Sequence, residues 1–253
     1  MSAHPLLYTY LWIAPHALLV VLAVMMMRRK LAREFPAFFL YAVYQAVEFL
    51  VLFVLYRLKS VSGMQFAQAW LAGAVISSGL RFAIIQEIFR HVFGNYPALK
   101  DFGTLLFRWA TAVLMIVAVT LVAFSSGTEM DRLTLACTVV DRAVSTVQCG
   151  LLVLILLLTR FLSLPWRSYV FGIALGLGFF ASTELGIAAL RAQWGLGVRG
   201  DLFALLTMAV YHCCVLFWVV TLLLPQPAET RVTSVPTHEL DHWNDALERL
   251  LQQ

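Results

Sequence analysis

Seven long apolar stretches follow one another along this chain, separated by short polar connections. About twenty apolar residues wound as a helix, at 1.5 Å per residue, match the hydrocarbon thickness of a bilayer. In lipid a helix also satisfies its own backbone N–H and C=O groups. The stretches are Leu6–Met27, Pro36–Leu58, Gln65–Val92, Leu105–Phe124, Leu133–Phe161, Ser168–Leu190 and Asp201–Leu224. Of the 253 residues 61% are apolar and only 13% charged, and the mean hydropathy is +0.84. A soluble domain carries about 25% charged residues, so this chain has too little polar surface to cover a globule in water. The expected fold is all-α: an integral membrane bundle of seven transmembrane helices over residues 1–224, then a tail over 225–253.

Lysine and arginine set the orientation. Arg28, Arg29, Lys30, Arg33, Arg90, Lys100, Arg108, Arg160 and Arg167 fall on one side, and Arg57, Lys59, Arg132, Arg191 and Arg199 on the other. The richer side is cytoplasmic, which places the N-terminus outside and the C-terminus inside the cell, in a multi-pass protein of the inner (plasma) membrane. The first stretch has no basic region before it and no small-residue cleavage site, and reads as a retained helix. The net charge of +4 is spread over loops. It reads as a topology signal, and no nucleic-acid partner is expected.

The polar residues inside the stretches carry the functional reading. Arg81 lies deep in the third stretch, with Gly73 and Ser77 on the same face at spacings of four. A buried charge there costs ~3 kcal/mol unless it is paired or meets water. Estimated depth makes Glu48 its expected counter-ion and pairs Glu184 with Arg142. Asp141, Ser145 and Gln148 form a polar stripe on the fifth stretch, and His16 and His212 lie at similar depth in the first and last. Glu48, Arg81, Asp141, Arg142, Gln148, Glu184 and His212 are therefore the candidate lining of an outward-facing polar cavity for an anionic or zwitterionic ligand, or for a proton path. Glu87, Arg90 and His91 read as a solvated charge cluster at a helix end. Gly172 and Gly176 have the spacing of a close-packing motif between helices.

Several chemistries lack their residues. The only lysines are Lys30, Lys59 and Lys100, all outside the stretches, so none can hold retinal. There is no HExxH, GxSxG or P-loop, and no nucleophile–base set is visible. Cys137, Cys149, Cys213 and Cys214 have neither disulfide-framework nor zinc spacing. No cofactor is expected. His16 and His212 are the one pair placed to ligate a haem or metal, with hydrogen bonding to a neighbouring helix the simpler role for each. In the tail, Leu240, Trp243, Leu247 and Leu250 form an apolar stripe beside Glu239, Asp241, Asp245 and Glu248. An acidic helix over 237–251 suits docking on protein better than on an anionic membrane. The first expectation is a receptor-like or sensory protein that binds a small polar ligand. The alternatives are a small-solute transporter and a non-catalytic subunit of a larger membrane complex.

Reporter fusions test the topology. Fusions after Lys59, Thr128 and Gly197 are expected to read as outside, and those after Arg33, Lys100 and Leu164 as inside. A cytoplasmic reading at Thr128 contradicts the seven-span arrangement.

Overall fold

The computed structural model describes residues 5–58, 61–92, 97–124, 128–162, 169–194 and 200–224. The expected tail helix over 237–251 lies outside the described residues. Eight helices occur among them: α1 (Pro5–Arg28), α2 (Leu31–Glu34), α3 (Pro36–Arg57), α4 (Gly63–Val92), α5 (Pro97–Phe124), α6 (Glu129–Leu162), α7 (Tyr169–Trp194) and α8 (Gly200–Leu223). No described residue is in a strand. Five helices are long and apolar enough to cross a membrane, namely α1, α3, α4, α7 and α8. α5 and α6 are 28 and 34 residues long. α6 carries Asp131, Arg132, Asp141 and Arg142 in its first half.

The element starts follow local chemistry. Ser62 and Gln65 form a reciprocal cap ahead of α4: the Ser62 N–H donates to Gln65 Oε1 (3.0 Å) and the Gln65 N–H to Ser62 Oγ (3.2 Å). Thr128 and Asp131 repeat this at α6, where the Thr128 N–H and hydroxyl both donate to Asp131 Oδ2. The Thr128 hydroxyl and N–H hold the Asp131 carboxyl below its ordinary range. The basic loop after α1 contains one turn of helix, α2, which the apolar pattern does not announce. Lys30 starts it in the left-handed region, at φ 61°.

α1 packs on α3 and α8, α3 on α4, α4 on α6, α6 on α7, and α7 on α8, which closes a ring of six. α5 lies outside the ring against α6 and α4, and α4 also meets α7 across the centre. The first and last helices are neighbours, as a closed ring requires, but the ring omits α5. Large side chains on the outer surface are apolar and exposed, as with Ile116, Val119, Phe179 and Val220. Such a surface suits lipid.

The buried core occupies the half of the bundle where α1 ends and α3 begins. Leu19, Leu22, Met26, Phe35, Phe38, Ile84, Ile85, Ile88, Ile173, Trp218 and Leu222 fill it. Gly172 and Gly176 receive α8 there: a Cβ at Gly172 would strike Thr221, and one at Gly176 would strike the Trp218 indole. The close-packing motif is thus the α7–α8 seam. Arg29 donates from Nη2 to the carbonyl of Leu223 (2.9 Å) and from Nη1 to that of Leu222. It satisfies carbonyls that the end of α8 leaves free.

Glu87 corrects the sequence reading. It is buried, and its carboxylate accepts the Ala37 N–H (2.9 Å) and the Phe38 N–H (3.1 Å) at the start of α3. Pro36 opens α3 and leaves those two N–H groups without helical partners. A carboxylate from α4 answers both, and the helix dipole favours it. Glu87 is therefore a cap, whereas Arg90 is exposed and the His91 ring stacks on Phe35 at 4.7 Å. Glu87→Leu is expected to destabilise the bundle by about 1–3 kcal/mol, since a buried and a half-buried donor lose their acceptor. Glu87→Gln should cost less. Equal unfolding midpoints for Glu87→Leu and the parent in detergent contradict the cap.

Candidate ligand-binding site

α3 and α4 run antiparallel, and their register fixes what Arg81 can reach. Gln45 Nε2 donates to Ser77 Oγ (2.6 Å), and the Tyr44 hydroxyl donates to the Gly73 carbonyl (3.1 Å). The Glu48 carboxylate lies against Gly73, where an added Cβ would strike Oε1. Glu48 is therefore level with Gly73, eight residues from Arg81, or about 12 Å along a helix axis. Tyr41 stands at the level of Arg81 instead.

Arg81 consequently pairs elsewhere, and the expected Glu48–Arg81 bridge is absent. Its Nη1 donates to Glu184 Oε2 on α7 at 2.9 Å, and its Nη2 donates to Asp141 Oδ1 on α6. Ser78, three residues before Arg81 on the same side of α4, donates to Asp141 Oδ1 at 2.8 Å. Ser145 donates to Glu184 Oε2 at 3.3 Å. One guanidinium thus joins three helices. Its side chain is 7% exposed, against 38% for Asp141 and 26% for Glu184, so the cation is buried and the carboxylates meet open space.

The expected Glu184–Arg142 pair is also absent. Arg142 sits about 100° around α6 from Asp141, is exposed, and makes no ion pair with a described residue. Glu48 likewise has no ion pair or hydrogen bond to a described residue. Gln148 is buried, and neither atom of its amide meets a partner among the described residues.

Three hollows meet at this junction, and Glu184 borders all of them. The largest, about 430 Å³, lies between α6, α7 and α8 and is lined by Asp141, Arg142, Ser145, Arg191 and Thr207. A second, about 300 Å³, is bordered by His16, Tyr41, Gln45, Ser77, Arg81 and Tyr211. The third, about 280 Å³, lies between α3, α4 and α6 and includes Glu48, Trp70, Arg81, Thr138 and Asp141. All three extend from the middle of the bundle toward the end where α1 begins, and the second reaches Tyr41 at the edge of the packed core.

Among the sequence candidates, Glu48, Arg81, Asp141, Arg142 and Glu184 line these hollows, and Gln148 and His212 do not. His212 turns to Tyr10 on α1, its ring 5.5 Å away. Its neighbour Tyr211 takes the inward position. His16 stacks on Phe49 at 4.2 Å, donates through Nδ1 to the Trp12 carbonyl (2.8 Å) and has Tyr211 at 6.1 Å. The two histidines therefore have different neighbours. Among the described residues no group of three or more His, Cys, Asp and Glu side chains is placed to hold a metal ion. The sequence candidates omit Tyr41 and Ser78, and of the adjacent polar pair Tyr211 and His212 they include only His212. Tyr41 could have been found, because it begins a stripe with Gln45 and Glu48 at spacings of four and three.

The architecture is that of a multi-pass helical membrane protein with a polar centre. Comparisons with protein-family models, with curated proteins and with solved structures found no match.

The junction orders its variants. Arg81→Met leaves two carboxylates unanswered and is expected to cost about 3–5 kcal/mol. Asp141→Asn and Glu184→Gln each leave Arg81 one partner and should cost about 1–3 kcal/mol. Glu48→Gln should unfold near the parent midpoint. A Glu48→Gln loss as large as that of Arg81→Met, measured by thermal unfolding in detergent, overturns this order.

Proposed function

We propose that the chain is a receptor-like, seven-span protein of the inner membrane, with its N-terminus outside, that takes a small polar ligand from the external side. One observation supports it above the rest: three hollows with ionisable groups in their walls share Glu184 and extend from the middle of the bundle toward the end where α1 begins, away from the apolar core. A site open to one side suits ligand recognition. α5 and α6 would complete the seven spans, which gives every long helix the same role in lipid. The excess of basic residues at the packed end supports placing that end in the cytoplasm. The apolar stripe of Trp243 and Leu247 in the acidic tail would then serve a cytoplasmic protein partner.

A transporter would use the same hollow but must also open the packed half, where Leu19, Leu22 and Trp218 are almost wholly buried. The receptor reading is therefore preferred.

Thiol accessibility tests it. In a chain whose four native cysteines are replaced, Thr138→Cys should react with a membrane-impermeant thiol reagent added outside intact cells. Leu177→Cys, in the packed half, should not react. Equal protection of both positions contradicts an externally open cavity.

A further inference from the structure

We propose that the hollow between α3, α4 and α6 binds a small organic cation of the alkylammonium class, with Glu48 as its anchoring carboxylate. The proposal rests on the reading of the hollow half as a ligand cavity and names what one part of it takes.

Charge gives the sign of the ligand. Four acidic or basic side chains line this hollow, Glu48, Arg81, Asp141 and Glu184, beside the neutral thiol of Cys137. Three carboxylates against one guanidinium leave a charge of −2 when all are ionised. Asp141 and Glu184 already occupy the two terminal nitrogens of Arg81. The remaining Arg81 donor without a partner, Nε, is buried away from open space, so an incoming anion meets three carboxylates first. Glu48 has neither ion pair nor hydrogen bond among the described residues. A lone carboxylate at this depth is costly unless a cation or proton answers it, and an ammonium group at Glu48 supplies the missing charge.

Shape and lining give the class. A bare divalent cation needs several oxygen ligands within ~2.0–2.6 Å, whereas the hollow measures about 280 Å³ and its wall is mixed. Trp70 borders it and offers a ring to a cation. Gln45, Ser77, Thr134 and Thr138 add oxygens that can accept ammonium N–H bonds, and Leu71 and Ala74 add apolar surface for a short alkyl chain. Gly73 lies behind the Glu48 carboxylate. Because it has no side chain, the Glu48 carboxylate can lie flat against α4, in space that a Cβ would fill. The hollow between α6, α7 and α8 differs, since Arg142 and Arg191 border it.

The test uses the full chain in lipid nanodiscs, with n-butylammonium chloride, sodium butyrate and 1-butanol as probes at matched ionic strength. Butylammonium should raise the unfolding temperature of the parent in a concentration-dependent way, because it binds only the folded state. Butyrate and butanol should not. Glu48→Gln should lower the butylammonium affinity by about tenfold or more. Gly73→Ala keeps every charge but displaces the carboxylate, and should also weaken binding. No shift in the parent, an equal shift in Glu48→Gln, or an equal shift with butyrate or butanol overturns the proposal. If Thr138→Cys is labelled from outside and butylammonium still has no effect, the cation assignment fails while the cavity stands. If Thr138→Cys is also unreactive, the cavity reading fails with it.

Discussion

A guanidinium in the middle of a helical bundle must be answered, and the arrangement around Arg81 follows from that requirement. Two carboxylates from two other helices reach it, Asp141 from α6 and Glu184 from α7. Each is steadied by a serine hydroxyl, Ser78 for Asp141 and Ser145 for Glu184. Charge-assisted hydrogen bonds are stronger and more directional than neutral ones. This junction therefore fixes the rotation of α4, α6 and α7 about their axes more tightly than apolar contacts between helices in lipid could. It also explains why polar space collects here: groups that need hydrogen-bonding partners do not pack densely with Leu and Ile.

The opposite half solves the same problem at helix ends. Glu87 closes the start of α3 from α4, and Arg29 closes the end of α8 from the turn after α1. Both satisfy backbone groups that a helix terminus leaves open. Between these clamps the bundle is apolar, and Gly172 and Gly176 let Thr221 and Trp218 come close. One half of the bundle is thus closed and tied at its ends. The other is held at its centre and hollow around it.

Much of this was legible in the sequence. Apolar length locates the helices, and depth puts Glu48 and Arg81 near the middle of the membrane and Asp141 and Glu184 at a matching level toward the outside. Pro36 marks the start of α3 in the sequence, but nothing there shows that the N–H groups after it find their acceptor in Glu87. The Arg81 partner was misassigned because depth counted from apparent helix ends carries an error of two turns. Two turns separate Tyr41, level with Arg81, from Glu48. Only the side-chain contacts between α3 and α4, Gln45 on Ser77 and Tyr44 on Gly73, fix that register. His212 and Tyr211 cannot be told apart as the inward residue from sequence, which gives the depth of a helical residue but not its rotation. The place of α5 outside the ring has no sequence signature, since its apolar run resembles the others.

The central claim is that Arg81 is bound to α7 and α6 rather than to α3. A double-mutant cycle measures this most directly. With Arg81→Met, Glu184→Gln and the double variant unfolded under identical conditions in detergent, the account predicts a coupling energy of about 1–3 kcal/mol. The parallel cycle with Glu48→Gln should give a coupling near zero. A large Arg81–Glu48 coupling alongside none for Arg81–Glu184 would contradict the account.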